Sequence, residues 1–378
     1  MKNSHNYPSE KRVLLIYTGG TIGMDENPQT GALEPLDFDH LVECVPEFKR
    51  ISVKVDTHQF VPPIDSSDMQ PANWVQIVEI IENNYDDYCG FVILHGTDTM
   101  AYTASALSFM LENLTKPVVL TGSQLPIGKL RTDGKENLIT SIEIAAAYKE
   151  CRMQNAECRM QDNPQTTAQP NSASCILHSA FPIVPEVCIY FSGKLLRGNR
   201  ATKINAEGFA AFDSFNYPHL GDAGINIHYH EANILKPDFT KPLVTHKEID
   251  PNVVVFSLFP GVQESIISHV TDAPELRSVV MRTYGSGNAP QQPWMFELLK
   301  KATEKGVNIV NISQCLSGRV EMERYGTGFH LSQAGVISGE DATVEATVTK
   351  LMVLQGELKD QQKVREAMQK PLAGEFTE

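Results

Sequence analysis

The chain has 378 residues, 42% of them hydrophobic and 21% charged, with a formal net charge of −14. That length suggests about two domains with ample chain for a large core, and the apolar share is that of a globular protein. The acidic balance argues against a nucleic-acid or anionic-membrane partner, since both need a basic face.

Short β-branched runs recur along the chain, with helical patterns between them. The first run, Val13–Tyr17, ends in Thr18-Gly19-Gly20-Thr21-Ile22-Gly23. It is too short for the apolar core of a signal peptide. No window approaches the roughly 20 apolar residues of a membrane span, so a soluble cytoplasmic protein is expected. The stretch Pro62-Pro63-Ile64-Asp65-Ser66-Ser67-Asp68-Met69 precedes a helical pattern over Trp74–Asn84. Its acids and hydroxyls read either as caps of that helix or as a polar ligand site near a helix N-terminus.

The second run, Phe91–Leu94, meets His95-Gly96-Thr97-Asp98-Thr99 and then a helix over Thr99–Leu114. Thr97 can donate to and accept from a polar ligand, and Asp98 suits a ligand ammonium. Asp98 and Thr99 also read as a helix cap. His95 reads as a structural hydrogen-bonding group. Val118–Thr121 leads to Gly122-Ser123-Gln124, and a helical pattern follows over Glu136–Tyr148. The segment from Gly122 to Leu130 is not a phosphate loop. It has one residue too many between its glycines, and Leu130 stands where a magnesium-binding hydroxyl belongs.

Next comes a repeat: Glu150-Cys151-Arg152-Met153-Gln154 recurs as Glu157-Cys158-Arg159-Met160-Gln161, ahead of a Gln/Asn/Thr/Ser/Pro-rich stretch. This composition buries too little apolar surface to offset ordering and reads as a surface insertion at about 150–179. A redox role for Cys151, Cys158 and Cys175 is the sharper alternative. The seven cysteines include no C-x-x-C pair and no zinc spacing, as expected of free thiols in a reducing cytosol.

Val187–Phe191 ends in Ser192-Gly193-Lys194, and Arg197-Gly198-Asn199-Arg200-Ala201-Thr202-Lys203 follows. Three cations in a run usually mark a solvated face. A lysine at a strand-end site can instead serve as a base, and Lys203 is the candidate. Residues 213–250 lack a strong period and read as a linker. Three further runs, Val253–Leu258, Val279–Thr283 and Val307–Ile312, alternate with helical patterns over Met295–Lys305 and Val344–Gln355. The expected architecture is α/β. A larger N-terminal domain (1–212) carries a mostly parallel, doubly wound sheet, and 251–378 form a smaller α/β domain. In such sheets ligands bind beyond the carboxyl ends of strands, which is where the polar turns fall. No G-x-S-x-G elbow, G-x-G-x-x-G fingerprint or H-E-x-x-H helix occurs, and nothing calls for a metal or cofactor.

The stretches VLLIYTGGTIG and GFVILHGTDTM resemble the two signature motifs of the bacterial-type L-asparaginases. DSSDM, TGSQ, RGNRATK and YGSGNAP fall in the family's order along the chain, and the likeness covers roughly residues 11–148 and 180–372. It is most similar to the cytoplasmic type I members. The resemblance implies hydrolysis of L-asparagine to L-aspartate and ammonia through a covalent acyl-enzyme, in a homodimer or a dimer of dimers. It implies Thr21 and Thr97 as the two catalytic threonines, with Asp98 and Lys203 beside them. Asp65, Ser66 and Ser67, together with Thr97, Asp98 and Asn288, would hold the substrate. Type I members can bind a second asparagine as an activator, and Thr202, Arg282 and Cys315 stand at the matching positions. Two features depart from the pattern. The loop Met24–Pro35 has Ala32 or Leu33 where many members carry a tyrosine, and typical members lack the insertion. A glutaminase, the amide-hydrolysing subunit of a tRNA-dependent amidotransferase, and a non-catalytic amino-acid-binding relative are the competing readings.

Overall fold

The computed structural model describes residues 11–26, 33–35, 45–153, 177–322 and 326–378. Ala32, Cys44, Cys158, Cys175 and most of the repeat-bearing insertion lie outside the described residues.

The larger sheet has eight strands. In chain order they are β1 (Arg12–Tyr17), β2 (Lys54–Gln59), β3 (Gly90–Leu94), β4 (Val118–Thr121), β5 (Val187–Phe191), β6 (Lys194–Arg197), β7 (Gly221–Ala223) and β8 (Ile227–Tyr229). Their spatial order is β8-β7-β6-β5-β4-β3-β1-β2. The strands from β5 to β2 are parallel, and the β6-β7-β8 end is antiparallel.

The expected apolar runs are the central strands, and both faces of them are covered. Leu14, Ile16, Phe91 and Ile93 pack on one side, against the helices Pro71–Asn83 and Met100–Met110. Val13, Leu15, Val92 and Leu94 pack on the other, against Gly134–Ala145. That two-sided burial is why these strands read as continuous runs.

Three expectations need correction. The Ser192-Gly193 turn does not lead into a helix. Both residues have positive φ (49° and 82°), and they close the tight hairpin between β5 and β6. The stretch 213–250 is not uniformly a linker, because it supplies β7 and β8. The edge strand β2 also escaped the reading. Its sequence KVDTHQ is polar and only partly covered, so it carries no apolar run.

The smaller sheet is fully parallel, in the order Val253–Ser257, Ser278–Thr283, Asn308–Ser313 and Ile337–Ser338. Its long helix, Val344–Leu358, contributes Ala346 and Val353 to the core around Met100–Met110 and so joins the two domains. The C-terminal tail closes the seam. Lys350 Nζ donates to the Lys370 carbonyl at 2.6 Å and pairs with Glu375 at 2.6 Å, both side chains being 1% exposed. Glu375 accepts in turn from the Leu372 and Ala373 N–H groups. Removing one partner strands a buried charge, so Glu375→Ala should destabilise the protein by about 3–5 kcal/mol. Urea unfolding of the variant beside the wild type measures this.

Candidate active site

The register of the sheet builds the site. β1 and β3 are neighbours, with Tyr17 opposite Leu94, so their carboxyl-end turns lie side by side. Thr18 donates its N–H and its hydroxyl to the Leu94 carbonyl, at 3.0 and 2.8 Å. The chain leaving β2 then bends over the same edge, where the Ile64 N–H donates to the Thr18 carbonyl at 2.7 Å. Three turns therefore meet: Gly19–Gly23, Asp65–Asp68 and His95–Thr99.

The contact is between backbones. Gly20 has φ +92°, and a Cβ there would lie 2.5 Å from the Gly96 nitrogen. A Cβ on Gly96 would lie 2.4 Å from Ser66 Oγ. Only glycine fits at either position. Thr21 begins the short turn immediately after Gly20.

Lys203 arrives from a distant part of the sequence. It lies on a two-residue strand paired with Phe212–Asp213. Its Nζ donates to Thr97 Oγ1 at 2.8 Å and to Asp98 Oδ1 at 2.6 Å. Asp98 is 64% exposed and Lys203 20%, so the pair faces the cleft. Asp98 does not cap the helix Met100–Met110, and neither does Thr99, whose hydroxyl donates to the Ser66 carbonyl at 2.6 Å. Asp65 caps its own turn, accepting from the N–H and hydroxyl of Ser67, both at 2.9 Å. The helix Pro71–Asn83 is capped instead by Asn73, which accepts from the Gln70 N–H at 2.9 Å.

Sequence reasoning missed Gln124. Its Oε1 faces the Thr97 hydroxyl at 3.4 Å, and its Nε2 donates to the Gly208 carbonyl at 3.0 Å. The signal was present, since Gln124 ends the TGSQ turn after β4. Asn288 lies on the smaller domain, in a turn closed by hydrogen bonds between Tyr284 and Asn288.

Thr202, Arg282 and Cys315 fall at the domain seam and the end of the smaller sheet. Thr202 donates to Glu345 Oε1 at 2.6 Å. Burial raises the Glu345 carboxyl above its usual range, and the Arg282 charge opposes that shift. Arg282 Nε, Glu345 Oε2 and Tyr284 Oη are buried without a partner among the described residues. Glu345 could not be found from sequence, because an acid in the first turn of a helix reads as a complement to its dipole. Cys315 is exposed, two residues beyond the strand Asn308–Ser313.

Residues 12–163 and 156–235 match the family model "Asparaginase, N-terminal", and residues 252–368 match "Glutaminase/Asparaginase C-terminal domain". The chain belongs to the asparaginase family. It is 40% identical to L-asparaginase 1 of Escherichia coli K12, over 97% of this chain and 98% of that one. It is 37% identical to a mouse 60 kDa lysophospholipase, covering 97% of this chain but 63% of the longer relative. The crystal structure of L-asparaginase I from Vibrio cholerae superposes with a TM-score of 0.81 at 39% identity, covering 98% of this chain and all of that one.

One residue of the asparaginase-family motif HGTDT points away from the cleft. His95 is completely buried, and burial pushes its imidazole down to about 4. A base whose folded value lies below its unfolded value of 6.5 gives stability that is present above pH 6.5. That stability is lost as the pH falls through the folded value. Wild type should therefore lose about 3 kcal/mol more than His95→Leu between pH 6.5 and pH 4, as measured by denaturant unfolding across that range.

Proposed function

We propose that the chain hydrolyses the side-chain amide of L-asparagine to L-aspartate and ammonia. The observation that carries this reading is the contact of Lys203 Nζ with both Thr97 Oγ1 and Asp98 Oδ1, on a turn packed directly against the one that bears Thr21. The names of the E. coli and V. cholerae relatives support it.

A primary amide has a poor leaving group, so a covalent route splits the reaction into two easier steps. Thr21 Oγ attacks the amide carbon, the C–N bond breaks, and ammonia leaves with the added proton. Water then cleaves the threonyl ester, giving the carboxylate and restoring the hydroxyl. Thr97, in contact with Lys203 and Asp98, moves the protons. Asp65, Ser66 and Ser67 hold the substrate's α-carboxylate and ammonium. Asn288 completes the site from a neighbouring copy in a dimer or a dimer of dimers, and the enzyme works in the cytoplasm. The edge strand Val253–Ser257 supports assembly, because Val255 is 40% exposed and Phe259 beyond it 58% exposed.

Purified protein should release ammonia from L-asparagine, and Thr21→Ala and Thr97→Ala should each lower kcat by about 10³-fold or more. L-Glutamine assayed in parallel tests the broader glutaminase reading. Light scattering on the same preparation should give two or more chains per particle. Asparagine that stabilises the fold without ammonia release would overturn the catalytic reading in favour of a binding protein.

A second reading concerns Thr202, Arg282 and Cys315, which we propose line a site for an activating asparagine. Its support is the set of three buried, unpartnered polar atoms on Arg282, Glu345 and Tyr284. Sigmoidal kinetics should become hyperbolic in Arg282→Ala. Hyperbolic kinetics in the wild type, unchanged by that substitution, would exclude the site.

A further inference from the structure

We infer that His95 is a positioning residue that sets the orientation of the Gly96–Thr97 peptide, and with it the Thr97 N–H, toward the substrate's developing oxyanion. The inference rests on the amide-hydrolysis reading above.

The argument begins with which atoms can donate. The Trp74 indole nitrogen only donates, and it lies 3.0 Å from Thr103 Oγ1. Thr103 Oγ1 lies 2.8 Å from His95 Nε2, and His95 Nδ1 lies 2.7 Å from the Gly96 carbonyl oxygen. That oxygen only accepts, so the hydrogen is on Nδ1. In a neutral ring Nε2 must then accept, which gives the Thr103 hydroxyl hydrogen its direction. The chain Trp74 → Thr103 → His95 → Gly96 runs one way with every donor and acceptor matched. Both His95 and Thr103 are fully buried. Trp74 and Thr103 come from the helices Pro71–Asn83 and Met100–Met110, so two packed helices fix the ring.

The consequence falls on the next peptide. In a planar trans peptide the carbonyl and the following N–H point in opposite directions. Holding the Gly96 oxygen toward the buried imidazole turns the Thr97 N–H the other way. Among the described residues that N–H meets no protein acceptor. It sits one residue from Asp98 and two from Thr99, the residue just ahead of the helix Met100–Met110, where the positive end of a helix dipole also favours negative charge. Glycine at 96 gives this peptide rotational freedom that most residues lack, so an external hold is needed. Ser66 and Gly20 crowd it from one side, and His95 holds its oxygen from the other.

The test compares His95→Leu with His95→Asn, because the asparagine amide can replace the Nδ1–H donor and leucine cannot. For ammonia release from L-asparagine, His95→Leu should lower kcat about 100-fold with KM within about threefold. His95→Asn should recover at least a tenth of the wild-type kcat. Selective ¹⁵N labelling of histidine in the wild type should show Nδ1 protonated and Nε2 unprotonated. That measurement needs no variant, so it holds even where His95→Leu does not fold. A kcat for His95→Leu within threefold of wild type, equal losses in the two variants, or an Nε2–H tautomer would each overturn the inference alone. A wild type that releases no ammonia would overturn the functional reading and this inference with it.

Discussion

The site depends on one close approach. β1 and β3 run parallel and in register, so the turns that follow them arrive at the same height and must pass each other within backbone contact. The space between Gly20 and Gly96 is too small for one methyl group, and so is the space between Gly96 and Ser66. Each glycine costs the fold about 0.5–1 kcal/mol of conformational freedom. In return Thr21, Ser66 and Thr97 are located by main-chain geometry, with no long side chains needed to reach one another. A site held by main chain on a rigid parallel sheet loses little on ordering around a ligand.

The fourth component, Lys203, arrives differently. Its two-residue strand follows the turn Gly198–Arg200, whose last member is a fully buried arginine. Arg200 grips Asp341 with both terminal nitrogens, at 2.8 and 2.9 Å, and donates to the carbonyls of Asn216 and Glu375, both at 2.7 Å. Asp341 belongs to the smaller domain and Glu375 to the C-terminal tail. The bidentate geometry suits arginine and would not tolerate lysine. The position of the cleft's cation is thus set by the interface between domains, while its threonines are set within one sheet. Disturbance at the domain seam reaches Lys203 first. Thr202, its immediate neighbour, is tied to Glu345 across the same seam.

The parts legible in the sequence are those with a local signature. The central strands announced themselves as apolar runs because both faces are buried, and the turns that end β1, β3 and β4 were readable as polar breaks. The edge strand β2 was not, since exposed Lys54 and His58 and half-buried Asp56 carry no apolar period. The eight-residue helices Glu264–Thr271 and Gln361–Met368 are too short to give a reliable one. The Ser192-Gly193 hairpin resembled the site turns because it too sets a small polar residue and a glycine at the end of an apolar strand; among those turns it shares positive φ only with Gly19-Gly20. The grouping of Lys203 with Thr97 and Asp98 spans about a hundred residues, and no local pattern encodes it. The motif resemblance supplied that grouping. Gln124 was marked only by its place at the end of the TGSQ turn, as an amide at a turn is ordinary until its partner is known.

The strand-end turn HGTDT remains unusual, with two hydroxyls, a carboxylate and an imidazole where a solvated turn would use fewer groups. Burial sorts them. Asp98 and its partner Lys203 stand toward the cleft, where water offsets the desolvation of their charges. His95 lies behind the backbone, fully enclosed, where a charged group would cost several kcal/mol without an anion beside it. There the imidazole is neutral and works as a directional dipole with one donor and one acceptor, both satisfied. A charged group in its place would demand a counter-ion within the core. Five consecutive residues thus supply both the ionised face of the cleft and the neutral support behind it. Strand β3 ends at Leu94, and the turn that follows divides them: His95 is enclosed behind it, while Thr97 and Asp98 meet Lys203 on its exposed side.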